Sequence, residues 1–204
     1  ISDDMIKRVA EAYRKVRNTI RYLVSNLNRF DPARDAVGEG SLDELDRYAL
    51  DRHRQVVSRV LDAYGSYEFH LVYHQLVQYA AVDLSSFYLD VLKDRLYTCG
   101  RDSAARRSAQ SALHHITQIL LRLMAPILSF TAEEAWEVLN PGREESVFFH
   151  TWDGVLPPQA GEEALMVKWA RLREIRALVQ KSLEELRQGG GIGSSLQAEV
   201  SLAA

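Results

Sequence analysis

The sequence is poor in residues that cross-link a chain or interrupt helices. Its 204 residues include one cysteine, five prolines and eleven glycines, whereas leucine, alanine, arginine, glutamate and glutamine are abundant. The single cysteine, Cys99, cannot form an internal disulfide, as is usual for proteins of a reducing compartment. Because proline and glycine are the least favourable residues inside a helix, their scarcity favours an all-helical fold.

Long apolar runs are missing as well. No stretch approaches the roughly 20 apolar residues that cross a bilayer. The chain starts with the acidic Ile1-Ser2-Asp3-Asp4, unlike the basic start of a signal peptide. The hydrophobic share of 47% and the charged share of 26% are ordinary for a globular protein. The sequence therefore predicts a globular protein of the cytoplasm with no membrane partner.

The net charge of −3 argues against a non-specific nucleic-acid binder, but the charge is unevenly distributed. Between Met5 and Phe30, seven basic residues accompany one acidic residue, Glu11, so this segment carries +6 and the rest of the chain −9. Such asymmetry indicates an anionic partner for one element. The seven basic residues are Lys7, Arg8, Arg14, Lys15, Arg17, Arg21 and Arg29.

The same segment has the clearest helical pattern. Apolar residues recur at spacings of three and four from Ile6 to Phe30, which predicts one long amphipathic helix. Asp3 or Asp4 can cap its start, and Asp31-Pro32 ends it. Acidic partners at i+4 are nearly absent, so we favour an anion-binding face over a merely solvated one. Lys7, Arg14, Asn18, Arg21 and Ser25 share the solvent face, and Arg17 lies on its border.

The sequence pattern predicts further helices in the rest of the chain. Two capping boxes, Ser41 with Glu44 and Thr131 with Glu134, predict helix starts. Together these patterns predict an all-α bundle of about five to seven helices over 1–188, then a glycine-rich joint over 189–204. The predicted segments are helices over 41–64, 67–97 with a bend near 83–86, 103–125 near the bundle centre, 131–139 and 162–188, an irregular stretch over 141–161 pinned by Trp152, and a strand over 197–202.

Patterns typical of catalysis and metal binding fail one by one. His70 and His74 have a spacing that can bind zinc, but Leu71 stands where the metalloprotease pattern requires glutamate, and no third ligand is in place. The glycine-rich stretch after 188 lacks the lysine of a phosphate loop. No nucleophile elbow or dinucleotide fingerprint occurs. The sequence predicts no catalytic residue and no metal site, which leaves binding as the function.

A basic helix that also carries amides suits a phosphate backbone, because lysine and arginine neutralise it and asparagine positions polar groups. Asn26, Asn28, Arg29 and Phe30 add the mix of amide, guanidinium and ring that unstacked RNA bases favour. A helical protein-interaction bundle with a solvated basic face remains the alternative.

Four blocks resemble bacterial isoleucyl-tRNA synthetases. Residues 13–19, YRKVRNT, are similar to the first helix of their anticodon-binding domain, and residues 83–97 are similar to their most distinctive block. Residues 125–136, APILSFTAEEAW, resemble a block shared with valyl and leucyl enzymes. Residues 192–198 resemble the start of a small C-terminal subdomain, so 189–204 is expected to lead into it. The aspartate at position 94 favours the isoleucyl over the valyl enzymes, where proline is common.

The resemblance implies a helical domain that binds the anticodon arm of isoleucine tRNA within a monomeric, ATP-dependent ligase. The catalytic and editing domains have no counterpart in this sequence, and the catalytic domain is an expected partner. ATP and zinc belong to the full-length enzyme, with no cofactor in this part. A valyl or leucyl synthetase is the same-group alternative.

By residue-wise match, the resemblance implies RNA contacts at Arg14, Arg17, Asn18, Arg21, Lys93 and Arg95. For Arg95, a structural ion pair with Asp94 is an equally good interpretation. The full predicted RNA-binding set is Arg14, Lys15, Arg17, Asn18, Arg21, Asn26, Asn28, Arg29, Phe30, Lys93 and Arg95.

Overall fold

A computed structural model describes residues 2–142, 145–152 and 161–202. Within these ranges every regular element is a helix and there is no strand, which confirms the all-α prediction. The chain divides into two compact units, Ile1–Pro158 and Gln159–Ala204. The predicted domain boundary at 188 lies inside the second unit and stays a prediction.

The first unit contains eight of the α-helices in the described ranges. Helix α7 is their centre, because it contacts α1, α3, α6 and α8 and its side chains Leu113, Ile116 and Ile119 are fully buried. This confirms the central position that its all-round apolar pattern predicts. The helices are α1 Asp3–Asn26, α2 Pro32–Asp35, α3 Glu44–Gly65, α4 Phe69–Gln78, α5 Leu89–Val91, α6 Lys93–Tyr97, α7 Ala104–Met124 and α8 Ser129–Leu139, with a π-helical segment over Tyr79–Tyr88 and 3-10 turns over Glu39–Ser41 and Val147–Phe149.

Helix α1 is present as predicted, but both of its ends differ. Ser2, not Asp3 or Asp4, is the N-cap, and its Oγ accepts a hydrogen bond from the Met5 amide at 3.4 Å. The helix ends at Asn26 rather than Phe30. Arg29 has a φ of 65°, which an α-helix does not allow. The last predicted turn of the helix is therefore a loop.

Both predicted capping boxes are wrong. Ser41 belongs to a 3-10 turn, and Asp43 is the N-cap of α3. Helix α8 begins at Ser129, so Thr131 and Glu134 lie inside its first two turns. Their side chains contact α1 instead of capping α8, which is a tertiary use of a local pattern.

The predicted helix over 67–97 is interrupted rather than continuous. The π-helical segment replaces regular α-helix around the predicted bend. Its serines are engaged there: Ser85 Oγ lies 2.7 Å from Thr19 Oγ1 on α1, and Ser86 Oγ donates to the Val82 carbonyl at 2.8 Å. π-Helical turns are rare and usually short, so a segment of ten residues is an unusual feature of this fold.

The predicted irregular stretch over 141–161 is described only in part, because 143–144 and 153–160 lie outside the described residues. Trp152 is pinned as predicted. Its ring stacks on Tyr64 at a centroid distance of 5.2 Å, and its indole N–H donates to the Arg122 carbonyl at 3.1 Å.

In the second unit, α9 spans Glu162–Gln188 as predicted, between Gly161 at φ 83° and Gly190 at φ 74°. The predicted strand over 197–202 is wrong. Ser195–Gln197 is a 3-10 turn, and Ser194 and Gln197 form a capping box. Among the described helices, none is long and apolar enough to cross a membrane.

Candidate nucleic-acid interface

The basic residues of α1 lie on its exposed face. Val16, Ile20 and Leu23 are buried, and this i, i+4, i+7 spacing turns the opposite side of the helix toward solvent. The predicted residues Arg14, Lys15, Asn18 and Arg21 are all exposed there. The fold therefore presents four predicted RNA-binding side chains on one accessible surface.

The C-terminal half of α1, the loop after it and α8 enclose an open groove of about 920 Å³. Apolar side chains, among them Ile20, Val24 and Leu139, form part of its wall. The charged residues of the wall are mainly basic, since five arginines accompany two acids. They are Arg17, Arg21, Arg29, Arg34 and Arg101, with Asp31 and Glu134.

Two of these arginines already have anionic partners within the domain. Arg17 contacts Glu134, and Arg34 contacts Asp35 at 2.8 Å. For Arg21, Arg29 and Arg101, the described part of the chain provides neither an ion pair nor a hydrogen bond to the side chain. Their guanidinium groups are therefore available to an anion that enters the groove.

The contact between Arg17 and Glu134 joins α1 to α8. Arg17 Nη1 and Nη2 donate to the two carboxylate oxygens at 2.7 and 2.9 Å. This double hydrogen bond lowers the pKa of the Glu134 carboxyl. One turn earlier on α1, the Tyr13 hydroxyl lies 3.0 Å from Thr131 Oγ1. Side-chain hydrogen bonds thus connect α1 and α8, the two helices that form the walls of the groove. Arg17 lines the groove, but its guanidinium is already paired with Glu134.

The loop after α1 presents its predicted residues differently. Asn28 and Arg29 are exposed and line the groove. Phe30 also lines it, but it is half-buried because its ring packs against His114 at a centroid distance of 5.6 Å. Asn26 does not line the groove, and its side-chain amide donates to the Tyr22 carbonyl at 2.9 Å. Asn28 and Arg29 are therefore the loop residues best placed to contact a ligand.

Lys93 and Arg95 lie away from the groove. Lys93 Nζ binds Asp90 Oδ1 at 2.8 Å. Arg95 Nη1 binds Asp43 at 3.0 Å and Asp46 at 3.1 Å. The ion-pair partners of Arg95 are thus on α3 and at its N-cap, and Asp94 is not among its partners in the described residues.

The contact of Arg95 with Asp46 has a structural role, because Asp46 is buried in the bundle. Its side chain is fully buried, and it also accepts hydrogen bonds from the hydroxyls of Tyr88 and Ser108. Burial raises the pKa of the Asp46 carboxyl despite these donors. A buried carboxylate of this kind depends on its cationic partner.

Two groove residues, Arg34 and Arg101, are missing from the predicted set. Arg34 lies on the short helix α2 and Arg101 in the turn between α6 and α7, and only the fold brings them to the groove beside α1. The local pattern assigns Glu134 to a helix cap and does not reveal its pairing with Arg17. Across the described ranges, no three histidine, cysteine, aspartate or glutamate side chains cluster as metal ligands would.

Comparison with known proteins matches residues 46–202 to a family model described as the anticodon-binding domain of tRNA ligase. The isoleucine–tRNA ligase of Thiobacillus denitrificans is 52% identical over 202 residues, which cover 99% of this chain and 22% of that protein. The isoleucine–tRNA ligase of Bordetella petrii is 53% identical over 209 residues, with the same coverage of 99% and 22%. That of Burkholderia vietnamiensis is 53% identical, covering 99% of this chain and 21% of its own length.

Proposed function

Because the chain belongs to the family of anticodon-binding domains of tRNA ligases, we propose that it binds the anticodon arm of isoleucine tRNA. The likeness to isoleucine–tRNA ligases over 99% of the chain supports the choice of amino acid. The observation that carries the proposal is the groove beside α1, where Arg21, Arg29 and Arg101 have no partner among the described side chains.

The geometry supports different roles for two surfaces, the exposed face of α1 and the groove. The exposed face of α1, with Arg14, Lys15 and Asn18, suits the regular phosphate backbone of the anticodon stem, which it would neutralise without reading sequence. The groove at the end of α1 combines arginines, an exposed amide at Asn28 and apolar walls. Such a surface suits the unstacked bases of a loop. The stem would thus position the arm, and the loop would enter the groove.

The chain spans about a fifth of the length of the relatives it matches. ATP-dependent ligation of isoleucine to tRNA is therefore proposed for a longer protein of which this domain is one part. ATP and zinc remain predictions about that longer ligase, with no role for either in this domain. The cytoplasm and a monomeric state are part of the same proposal.

One observation favours an additional protein contact. The apolar stripe that is buried along the second half of α1 continues into its first turns, where Met5, Ile6 and Val9 are exposed. Exposed apolar stripes of this kind often mark protein interfaces. Docking of the catalytic part of the ligase accounts for this stripe without replacing the RNA function of the groove.

The test is equilibrium binding of the 204-residue protein to isoleucine tRNA and to valine tRNA across a salt series. We expect a preference for isoleucine tRNA and affinity that falls steeply with salt. The Arg21→Ala variant should bind more weakly and with a salt slope lower by about one. Arg59→Ala, which removes an exposed arginine of α3 outside the groove, is the matched control.

The outcomes separate the alternatives. Equal binding of both tRNAs would keep the RNA function and reject isoleucine selectivity for this domain. A preference for valine tRNA would instead favour the valyl alternative. An absence of salt-sensitive binding to either tRNA, or equal effects of Arg21→Ala and Arg59→Ala, would reject the groove as the RNA site.

A further inference from the structure

One face of α7 contacts successive points of the chain from the last residue of α1 to the loop before α3. Four α7 residues at i, i+3, i+4 and i+7 make these contacts, and this spacing places them in one row. Gln110 Nε2 donates to the Asn26 carbonyl at 3.1 Å, Arg107 Nη2 lies 3.1 Å from Asp35 Oδ1, Ser111 Oγ accepts from the Val37 amide at 3.0 Å, and His114 packs on Phe30.

Arg107 connects this row. Its side chain is nearly buried, with 11% exposed. Nη1 donates to Gln110 Oε1 at 3.1 Å, while Nη2 contacts Asp35 and also Asp102 at 2.7 Å. One planar guanidinium thereby sets the orientation of Gln110 and of Asp35 together, which a lysine cannot do.

Asp35 transmits the contact to the loop. Its Oδ2 accepts a hydrogen bond from the Asp31 amide at 3.0 Å, and the hydrogen bonds from Arg34 and from this amide hold the pKa of Asp35 well below its usual range. Asp31 directly follows Phe30. The carboxylate therefore ties the end of the loop to α7.

The loop needs such support because Arg29 has a φ of 65°, a left-handed conformation that is unfavourable for a residue with a Cβ. Strained residues of this kind persist only where the surrounding contacts determine them. The contacts that bracket Arg29 are the one at Asn26 before it and those at Phe30 and Asp35 after it. All three are made by the α7 row.

We propose that Arg107 is a positioning residue for RNA binding: it does not line the groove, but it fixes the turn that presents Asn28 and Arg29 there. This inference rests on the proposed function of the groove. It predicts that a substitution which removes the contacts of Arg107 with Gln110 and Asp35 disorders the loop. The contribution of Arg29 to RNA affinity is then lost, while the exposed face of α1 continues to bind RNA.

The first arm of the test needs no RNA. Hydrogen exchange is measured for the amides of Phe30, Asp31 and Val37 in the wild-type protein and in Arg107→Lys, which keeps the positive charge. We expect exchange at these amides to accelerate about tenfold. Arg52→Lys is the matched control, because Arg52 forms a comparable part-buried ion pair with Asp83 at 3.1 Å.

The second arm measures affinity for the anticodon stem-loop of isoleucine tRNA in a double-mutant cycle. In the wild-type protein, Arg29→Ala should weaken binding about fivefold. The same Arg29→Ala substitution made in the Arg107→Lys protein should weaken binding by less than about twofold. Arg14→Ala, on the helical face, should weaken binding equally in both backgrounds. Neither effect should change in the Arg52→Lys background.

The two arms fail separately. Unchanged exchange at Phe30, Asp31 and Val37 overturns the positioning role of Arg107 whether or not RNA binds. Additive effects of Arg29→Ala and Arg107→Lys overturn it as well. A wild-type protein that does not bind the stem-loop rejects the proposed function of the groove, while accelerated exchange would still assign the loop to Arg107.

Discussion

Arg17 on α1 and Glu134 on α8 form a double hydrogen bond, at 2.7 and 2.9 Å, on the wall of the groove proposed for RNA. Both side chains are largely exposed, at 44% and 59%, so the pair adds little to stability. Its larger effect is on charge, because Glu134 neutralises an arginine that RNA phosphates would otherwise meet.

We therefore expect Glu134→Gln to strengthen RNA binding. The substitution frees the Arg17 guanidinium, so affinity at low salt should rise by about twofold to fivefold and the salt slope should steepen. Thermal unfolding should change little. Glu137→Gln, one turn along the exposed side of α8 and outside the groove, is the control. A loss of affinity in Glu134→Gln would show that the pair is needed to hold Arg17 in place.

The left-handed backbone at Arg29 predicts opposite effects on stability and binding. Arg29→Gly removes the strain of a Cβ at φ 65° and should raise the free energy of unfolding by about 0.5–1 kcal/mol. It also removes a guanidinium from the groove, so RNA affinity should fall. Arg29→Ala should lower affinity equally without the gain in stability. Urea unfolding and RNA titration of both variants test this, and equal stability of the two would contradict it.

The contacts of Arg95 predict a structural role. Arg95→Ala leaves the buried Asp46 carboxylate without its cation and should lower the free energy of unfolding by about 2–3 kcal/mol. Affinity for RNA, measured where the protein is fully folded, should not change. Lys93→Ala removes an exposed pair from the same block and is the control for stability. A large loss of affinity in folded Arg95→Ala would restore Arg95 as an RNA contact.

Two buried histidines predict acid sensitivity. Burial lowers the pKa of His53 to about 3 and that of His115 to about 4. In the unfolded chain both titrate near pH 6.5, so between about pH 6.5 and 4 the unfolded state binds more protons. The contribution of the two neutral histidines to stability should therefore be complete above about pH 7.5 and fall as the pH drops, by roughly 2–3 kcal/mol for each histidine, or about 5 kcal/mol together, at pH 4.5.

Urea unfolding between pH 4.5 and 8 measures this dependence. His115→Gln should reduce the loss of unfolding free energy at acidic pH, because glutamine does not titrate. His74→Gln, at an exposed position of α4, should leave that loss unchanged. His53→Gln is a second test, although it also alters the contact of His53 Nδ1 with the Tyr79 hydroxyl at 3.0 Å. If neither His115→Gln nor His53→Gln reduces the loss of stability at acidic pH, that loss belongs to carboxylates.

Much of the fold follows from local pattern. The apolar spacing of α1, the all-round apolar character of α7 and the start and end of α9 are properties of contiguous residues, and the structure confirms them. The errors occur where distant parts of the chain decide. The apolar spacing continues to Phe30, but contacts with Gln110 and His114 on α7 turn the chain after Asn26.

The candidate site was predictable to a similar degree. The charge of α1 identifies Arg14, Arg17 and Arg21 without knowledge of the fold. Arg34 on α2 and Arg101 before α7 line the groove beside residues of α1, and α2 is placed by its packing on α7, which no local spacing reveals. Thr131 and Glu134 match a capping pattern, yet the fold uses them across two helices.

The groove is assembled from α1, the loop after it, α8 and Arg101, so its walls come together only in the native chain. RNA that binds there must bind the native state and not the unfolded one. Occupancy is then coupled to folding: RNA at a hundred times its Kd would stabilise the domain by about 2.7 kcal/mol. The melting temperature of the protein therefore reports how much of it holds RNA, and the α1 sequence alone, as a peptide, would lack this response.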